Sequence, residues 1–195
     1  MSAVLSFVTP DAAYVLTDRA AYDDNGVVRA VHCKVAASEK HPVVVATRGD
    51  VRLGDHWDTH LISLIDKIGP LAVQAKLPDV LAALRDNTTV RVSHAERLVE
   101  VLVAGWTELG GFHVRFNTRD WRIEELDAFA YGGPMDCDPI DLMERVGLPQ
   151  AGDTPESWTR RAGVAVMEAF RSQRGRNADG SVSDWFAIGG GWISP

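Results

Sequence analysis

Short apolar and β-branched runs fill the first fifty residues, and such runs favour strands. Tight-turn signals at 9–11 and at Asn25-Gly26 separate them, since proline and Asn-Gly both favour chain reversal. The predicted strands are Ser2–Val8, Ala13–Thr17, Val27–Ala37 and Val43–Thr47. The last run is apolar on both of its faces until Thr47, which predicts a strand that is buried on both sides.

Beyond Gly49 the apolar positions change to helical spacing and then return to alternation. Helices are predicted at 55–67, at 71–76 with a stop at Pro78, and in short helical turns at 79–85. A capping box at 93–96 predicts the start of another helix or helical turn. The last two predicted helices are 138–146 and Thr154 through 170. Strands are predicted at 99–106, 112–116, 121–125, 126–131 and 181–188. Gly189-Gly190-Gly191 follows the last strand, and we interpret it as flexible backbone.

This order of elements predicts an α+β fold. Strands come in consecutive hairpins and helices come in pairs, which indicates antiparallel sheets whose outer faces are covered by helices. A length of 195 residues is enough for a sizeable core within one domain, 1–195.

Composition narrows the functional classes. A hydrophobic fraction of 46% and a charged fraction of 24% are typical of a globular protein. The net charge of −7 argues against a nucleic-acid or anionic-membrane surface. The chain has no apolar run of the roughly 20 residues that a membrane span needs. Two widely separated cysteines and an N-terminus without a signal-peptide pattern predict a cytoplasmic protein.

Three polar residues in the first strands form a candidate site. Ser2, Asp18 and Lys34 are separated by equal intervals of 16 residues. Removal of Met1 before a small residue is common, and it would give Ser2 both a hydroxyl and a free α-amine. That amine has an ordinary pKa of about 7.7–8.0, so it can act as the base for its own hydroxyl. A lysine lowers the pKa of the amine, and a carboxylate orients the lysine.

This spacing resembles that of proteasome β-type subunits, including the bacterial HslV-like branch, which are N-terminal nucleophile (Ntn) hydrolases. Counted from Ser2, Asp18 is seventeenth and Lys34 is thirty-third, as in that family. The resemblance implies a four-layer αββα sandwich, amide or peptide hydrolysis by Ser2, Asp18 and Lys34, and an oxyanion-binding backbone near Gly49. It also implies a peptide substrate and a homo-oligomer, since proteasome-like subunits assemble into rings. We expect no cofactor and no metal.

The sequence departs from the family at four places. Serine replaces the usual threonine nucleophile, and Arg48 precedes Gly49 where the family has an Ala-Gly-x-x-Ala-Asp-like segment. Residues 131–134 lack the family's supporting serine, and the family's Asp-x-x-Ser-Gly-Gly segment is replaced by residues 177–181, Asn-Ala-Asp-Gly-Ser. The alternative function is therefore a catalytically silent structural or assembly subunit of the same fold.

Each candidate residue also has an interpretation without catalysis. Ser2 can be a small residue that begins a strand, Asp18 a turn acid paired with Arg19, and Lys34 a solvated residue at a strand edge. Cys33 is predicted to lie in the core by alternation with Lys34. His56 and His60 share a helix face and could bind a metal, although the sequence fixes no third ligand.

Overall fold

The computed structural model describes residues 4–9, 12–23, 27–49, 51–87, 99–118, 121–126, 129–132, 144, 147, 150, 153–154, 156–163 and 188–193. Eleven strands occur in this part of the chain: β1 Val4–Val8, β2 Ala13–Asp18, β3 Ala20–Tyr22, β4 Val28–Val31, β5 Val35–Ala37, β6 Val43–Gly49, β7 Val99–Thr107, β8 Gly110–Asn117, β9 Ile123–Glu125, β10 Phe129–Gly132 and β11 Ile188–Ile193. The helices are α1 Val51–Ile68, α2 Pro70–Asn87 and the helical residues 156–163, named α3.

The strands form antiparallel sheets. A four-stranded sheet has the order β10-β1-β2-β11, and a five-stranded sheet has the order β5-β6-β7-β8-β9. The short hairpin β3–β4 forms a separate two-stranded sheet. Every strand pairing in the described part of the chain is antiparallel. The fold is therefore α+β with antiparallel sheets, as predicted.

Alternation along the central strands divides the core into two layers of side chains. Odd-numbered residues of β6 and β7 face the helices, and even-numbered ones face the four-stranded sheet. The helix-facing layer contains Val43, Val45, Val101 and Val103 with Trp57, Leu61 and Ile65 of α1 and Val73 and Leu77 of α2. The layer between the sheets contains Val44, Ala46, Leu102 and Ala104 with Val4 and Val15. This double burial explains the continuous apolar run of β6.

An aromatic cluster and a buried hydrogen bond connect the four-stranded sheet to its neighbouring elements. Phe7 and Tyr14 stack with ring centroids 4.5 Å apart, and Trp158 of α3 packs edge-on against both rings. Between the sheets, Ser6 Oγ and His113 Nδ1 are joined by a buried hydrogen bond of 2.9 Å. Thr154 caps α3 as predicted, because its Oγ1 accepts a hydrogen bond from the amide of Ser157.

The helix boundaries differ from the prediction. α1 begins at Val51, earlier than expected, and α2 is one continuous helix that contains Pro78 in its interior. Proline removes one helical hydrogen bond. Pro78 is exposed, whereas Val73 and Leu77 are buried against the sheet, so packing holds the helix together across the proline.

The C-terminal glycines also differ from the prediction. Gly189-Gly190-Gly191 is part of β11 and pairs with Thr17, Leu16 and Val15 of β2. We predicted flexible backbone there, and that prediction is wrong. Backbone hydrogen bonds to β2 need no side chains, so glycines can form this strand. The capping box at 93–96, most of the helix at 138–146 and the strand at 181–187 lie outside the described residues.

Candidate active site

A buried ion pair joins two of the predicted site residues. The Lys34 Nζ donates a hydrogen bond of 2.6 Å to Asp18 Oδ1 and a second of 2.6 Å to the carbonyl oxygen of Ala20. Both side chains of the pair are 4% exposed. Charges this far from water are stable only when they are paired and hydrogen-bonded, and this pair meets both conditions.

The surrounding backbone fixes the position of the lysine. Asp18 is the last residue of β2, and Lys34 immediately precedes β5. The amide of Thr47 donates to the Lys34 carbonyl over 3.1 Å, and the amide of His32 donates to the Arg19 carbonyl over 2.9 Å. The segment 32–34 is therefore held against the end of β6 on one side and against the residue after Asp18 on the other.

Burial governs the electrostatics of Lys34. Loss of water around the ammonium lowers the pKa of Lys34 below its ordinary value, and the charge of Asp18 and its hydrogen bond oppose this shift. A lysine of this kind loses its proton more readily than a surface lysine. It still presents a positive charge beside the end of β2 while it stays protonated.

These contacts decide between two of the earlier interpretations. Lys34 is not a solvated edge lysine, because it is buried and paired with Asp18. The prediction that Cys33 lies in the core is wrong. Cys33 is exposed, and its Sγ donates to the carbonyl of Val35 over 3.1 Å. The alternation argument fails here because residues 32–34 lie outside any strand.

Of the other two predicted residues, the structure describes only Gly49, and Ser2 is outside the described residues. The first described residue, Val4, pairs with Thr17, the neighbour of Asp18. Gly49 is the last residue of β6, two positions after Thr47, and has a φ of 114°. Glycine adopts this conformation without strain, whereas other residues do so rarely.

A second ion pair occupies this end of the five-stranded sheet. Arg48 and Glu100 are directly opposite each other on β6 and β7, and Arg48 Nη2 donates to Glu100 Oε2 over 3.1 Å. Neither this pair nor the role of the Ala20 carbonyl was predicted from the sequence. The sequence signal for the pair is a basic residue at the end of one predicted strand and an acidic residue at the start of a later one.

The structure shows no further ligand for the metal site considered at His56 and His60 among the residues that it describes. His60 is exposed on α1, and the side chain of His56 lies outside the description. No group of three or more His, Cys, Asp or Glu side chains is arranged to hold a metal ion within the described ranges. Likewise, none of the helices in the described part of the chain is both long enough and apolar enough to cross a bilayer.

Comparisons with known proteins add no assignment. No protein-family model matches the sequence, and no curated protein matches it significantly. The geometry of the site therefore has to indicate its chemistry. A buried ammonium, fixed by a carboxylate beside the start of β1, can lower the pKa of a neighbouring amine and stabilise a developing negative charge.

Proposed function

We propose that the protein is an Ntn-type amide or peptide hydrolase whose nucleophile is Ser2 after Met1 is removed. The observation that carries the proposal is the buried Lys34–Asp18 pair at the end of β2 where β1 begins. Ser2 is two residues before Val4, so chain connectivity keeps its Cα within about 7 Å of the Val4 Cα. Val4 pairs with Thr17, the neighbour of Asp18, so this bound keeps Ser2 in the region of the end of β2, where the proposal has Lys34 and Asp18 act on its amine and hydroxyl.

The proposed reaction has two steps. The Ser2 α-amine, directly or through water, accepts the hydroxyl proton, and Oγ attacks the carbonyl carbon of the amide. The tetrahedral intermediate collapses, and the departing amine takes the proton from the Ser2 ammonium. The acyl-Ser2 ester is then attacked by water, which the α-amine deprotonates. The resulting ammonium returns this proton to the departing Ser2 Oγ as the intermediate collapses, and the carboxylic acid is released.

Two groups assist this reaction. The Lys34 ammonium lowers the pKa of the Ser2 amine by charge repulsion, so that more of the amine is in its basic form at neutral pH. Backbone N–H groups near Gly49 bind the oxyanion of each tetrahedral intermediate. Asp18 holds the lysine in place and offsets part of the cost of burying an ammonium.

The proposal includes a finer architecture than α+β. We assign the fold to the four-layer αββα class, with α1 and α2 outside the five-stranded sheet and α3 outside the four-stranded sheet. The supporting contacts are the two layers of core side chains around β6 and β7 and the packing of Trp158 on Phe7 and Tyr14. A homo-oligomeric assembly that encloses the site is part of the same proposal.

Two measurements test the function. Intact-mass analysis and N-terminal sequencing report whether Met1 is removed. A peptide epoxyketone, an electrophile that reacts with hydroxyl groups, then reports on Ser2 by peptide mapping. We expect labelling at Ser2, none in Ser2→Ala, and none in Lys34→Ala. Lys40→Ala is the matched control, because Lys40 is an exposed lysine on the same chain segment, and it should label at the wild-type rate.

The outcomes separate the two candidate functions. Retention of Met1 would rule out the hydrolase as stated, since the α-amine would be blocked. A free Ser2 that never reacts would favour the silent structural subunit. Lys34→Ala needs a check of its unfolding temperature, because it leaves Asp18 buried without its cation. Labelling that persists in folded Lys34→Ala would exclude the proposed role of Lys34.

A further inference from the structure

The Arg48–Glu100 pair lies at the same end of the molecule as Lys34. Thr47 is hydrogen-bonded to Lys34 through the backbone, and Arg48 is the next residue of β6. Glu100 is opposite Arg48 on β7. Neighbouring strands are about 4.8 Å apart, so Glu100 is roughly 10 Å, or two strand spacings, from the line of Lys34.

The pair also lies on the face that looks toward the four-stranded sheet. Leu102 and Ala104 of β7 contact the layer between the sheets, and alternate residues of a strand share a face. Glu100 is the next member of that row toward the end of the strand. The side chains of Arg48 and Glu100 are 20% and 11% exposed, so the pair is largely buried and only a small part of each side chain is open to solvent.

One carboxylate oxygen of Glu100 is unsatisfied within the described structure. Oε2 accepts the hydrogen bond from Arg48, whereas Oε1 is buried and has no hydrogen-bond partner among the residues that the structure describes. Glu100 itself is 9% exposed. A buried anionic oxygen without a donor is unfavourable, so a ligand that supplies an N–H group there gains a strong, charge-assisted hydrogen bond.

We propose that Glu100 is the specificity residue of the active site and binds a protonated amine on the substrate, such as a lysine-like side chain next to the scissile amide. This inference rests on the proposed hydrolase function. An extended lysine side chain spans about 6 Å from Cα to Nζ, and a hydrogen bond adds about 3 Å, so a substrate lysine bound beside Lys34 can span most of the roughly 10 Å to the backbone of Glu100.

The vacant acceptor on Glu100 favours a cation over an anion at this position. Asp18 pairs with Lys34 and Arg48 pairs with Glu100, so neither pair has a net charge, whereas Oε1 of Glu100 has no donor among the described residues. The chain carries a net charge of −7, which attracts cations toward the molecule. An anionic substrate group would instead meet the free oxygen of Glu100 and would be repelled.

The test compares two small ligands that differ mainly in charge. Nα-acetyl-lysine amide and Nα-acetyl-norleucine amide are titrated into the full-length protein by NMR. We expect the lysine ligand to bind about tenfold more tightly, as a hydrogen bond to a charged group warrants. In Glu100→Gln the preference should disappear, because the amide keeps an oxygen for Arg48 but loses the charge. Glu100→Asp keeps the charge, draws it back by one methylene, and should lower the preference.

A matched control uses the ion pair of Arg115 with Glu124. Glu124 also pairs with an arginine across two strands, but its side chain is 46% exposed. Glu124→Gln should leave the lysine preference unchanged. Equal binding of the two ligands, or an undiminished preference in Glu100→Gln, would overturn the proposal. If Glu100→Gln does not fold, an undiminished preference in Glu100→Asp would overturn it in the same way.

A parallel labelling experiment separates this inference from the hydrolase itself. Epoxyketones with lysine or norleucine beside the reactive ketone are applied to the same variants. Labelling of Ser2 without a lysine preference would keep the hydrolase and reject the role of Glu100. A Glu100-dependent lysine preference in binding, without any labelling, would keep the binding site and reject the hydrolase.

Discussion

The buried Lys34–Asp18 pair makes a quantitative prediction about stability. Lys34→Met removes the ammonium but keeps a side chain of similar length, so the carboxylate of Asp18 stays buried without its cation. Breaking a buried pair on one side costs about 3–5 kcal/mol. That is a large part of the roughly 5–15 kcal/mol that stabilises a typical domain. The pair is 4% exposed on both sides, so solvent screening does not reduce this cost.

The opposite single variant should cost less. Asp18→Asn removes the carboxylate that opposes the ammonium, but burial already lowers the pKa of Lys34, so the lysine can lose its proton and avoid the full penalty. In the double variant both charges are gone, and the main remaining loss is the donor to the Ala20 carbonyl, worth about 1–3 kcal/mol. The cycle should therefore show a coupling free energy of about 3 kcal/mol.

Urea unfolding of the four proteins measures this cycle. With an m-value of about 2 kcal/mol/M, Lys34→Met should lower the midpoint by roughly 1.5–2.5 M at an unchanged slope. The control is Arg160→Met, which breaks an i,i+4 pair whose side chains are 79% and 56% exposed and should cost less than about 0.5 kcal/mol. A loss below about 1 kcal/mol in Lys34→Met, or a coupling near zero, would refute a buried, coupled pair.

Three further predictions concern the site and the core. The rate of epoxyketone labelling should rise with pH as the Ser2 amine loses its proton and should fall again as Lys34 loses its own. Because burial lowers the pKa of Lys34, the fall should occur below pH ~10.4, the ordinary lysine pKa. A fall at or above that pH would contradict the buried lysine. Trp158→Ala removes a fully buried ring of α3 that packs on the four-stranded sheet, and calorimetry should show a loss of about 3–5 kcal/mol in the free energy of unfolding. A loss under about 1 kcal/mol would contradict the packing. Gly105→Ala would place a Cβ 2.4 Å from a backbone oxygen and should lower the free energy of unfolding in urea by about 1–3 kcal/mol or more. In the control Gly163→Ala the nearest atom is a side-chain carbon at 3.3 Å, so its stability should stay within about 1 kcal/mol of wild type. Equal losses in the two variants would contradict the close approach at Gly105.

Most of the fold was predictable because its strands carry their pattern in side chains. The run Val43–Thr47 was predicted to be buried on both faces, and all five residues are buried in β6. The alternation in 112–116 likewise predicted β8, where Val114 and Phe116 pack under α1 and α2. Such patterns survive in sequence because each face of a strand meets a different environment.

The errors arise where the backbone or distant packing decides the structure. A rule that proline ends a helix predicted a break at Pro78, but the buried neighbours of Pro78 hold α2 together. Gly189–Gly191 has no side-chain pattern, so its pairing with β2 left no sequence signal. Cys33 was assigned by alternation in a segment that is not a strand.

The site was predictable in part. The equal intervals between Ser2, Asp18 and Lys34, together with the resemblance, indicated that Asp18 and Lys34 would be in contact. The two side chains are hydrogen-bonded, although they are 16 residues apart in the sequence. Their catalytic role stays a prediction, because Ser2 lies outside the described residues. Neither the Ala20 carbonyl nor the pairing of Arg48 with Glu100 was predictable, since the first is a backbone group and the second depends on the register of β6 and β7.

The stability cycle and the labelling experiment together decide why the pair is there. Replacing both members of a buried ion pair with uncharged residues is often neutral or even stabilising, so the fold alone does not require these charges. The Asp18→Asn, Lys34→Met double variant therefore tests the two functions against each other. A double variant that folds with no more than the loss of about 1–3 kcal/mol expected above, but no longer reacts at Ser2, would mean that the charges serve chemistry. A folded double variant that labels at the wild-type rate would mean that Ser2 reacts without them, and the proposed mechanism would fail.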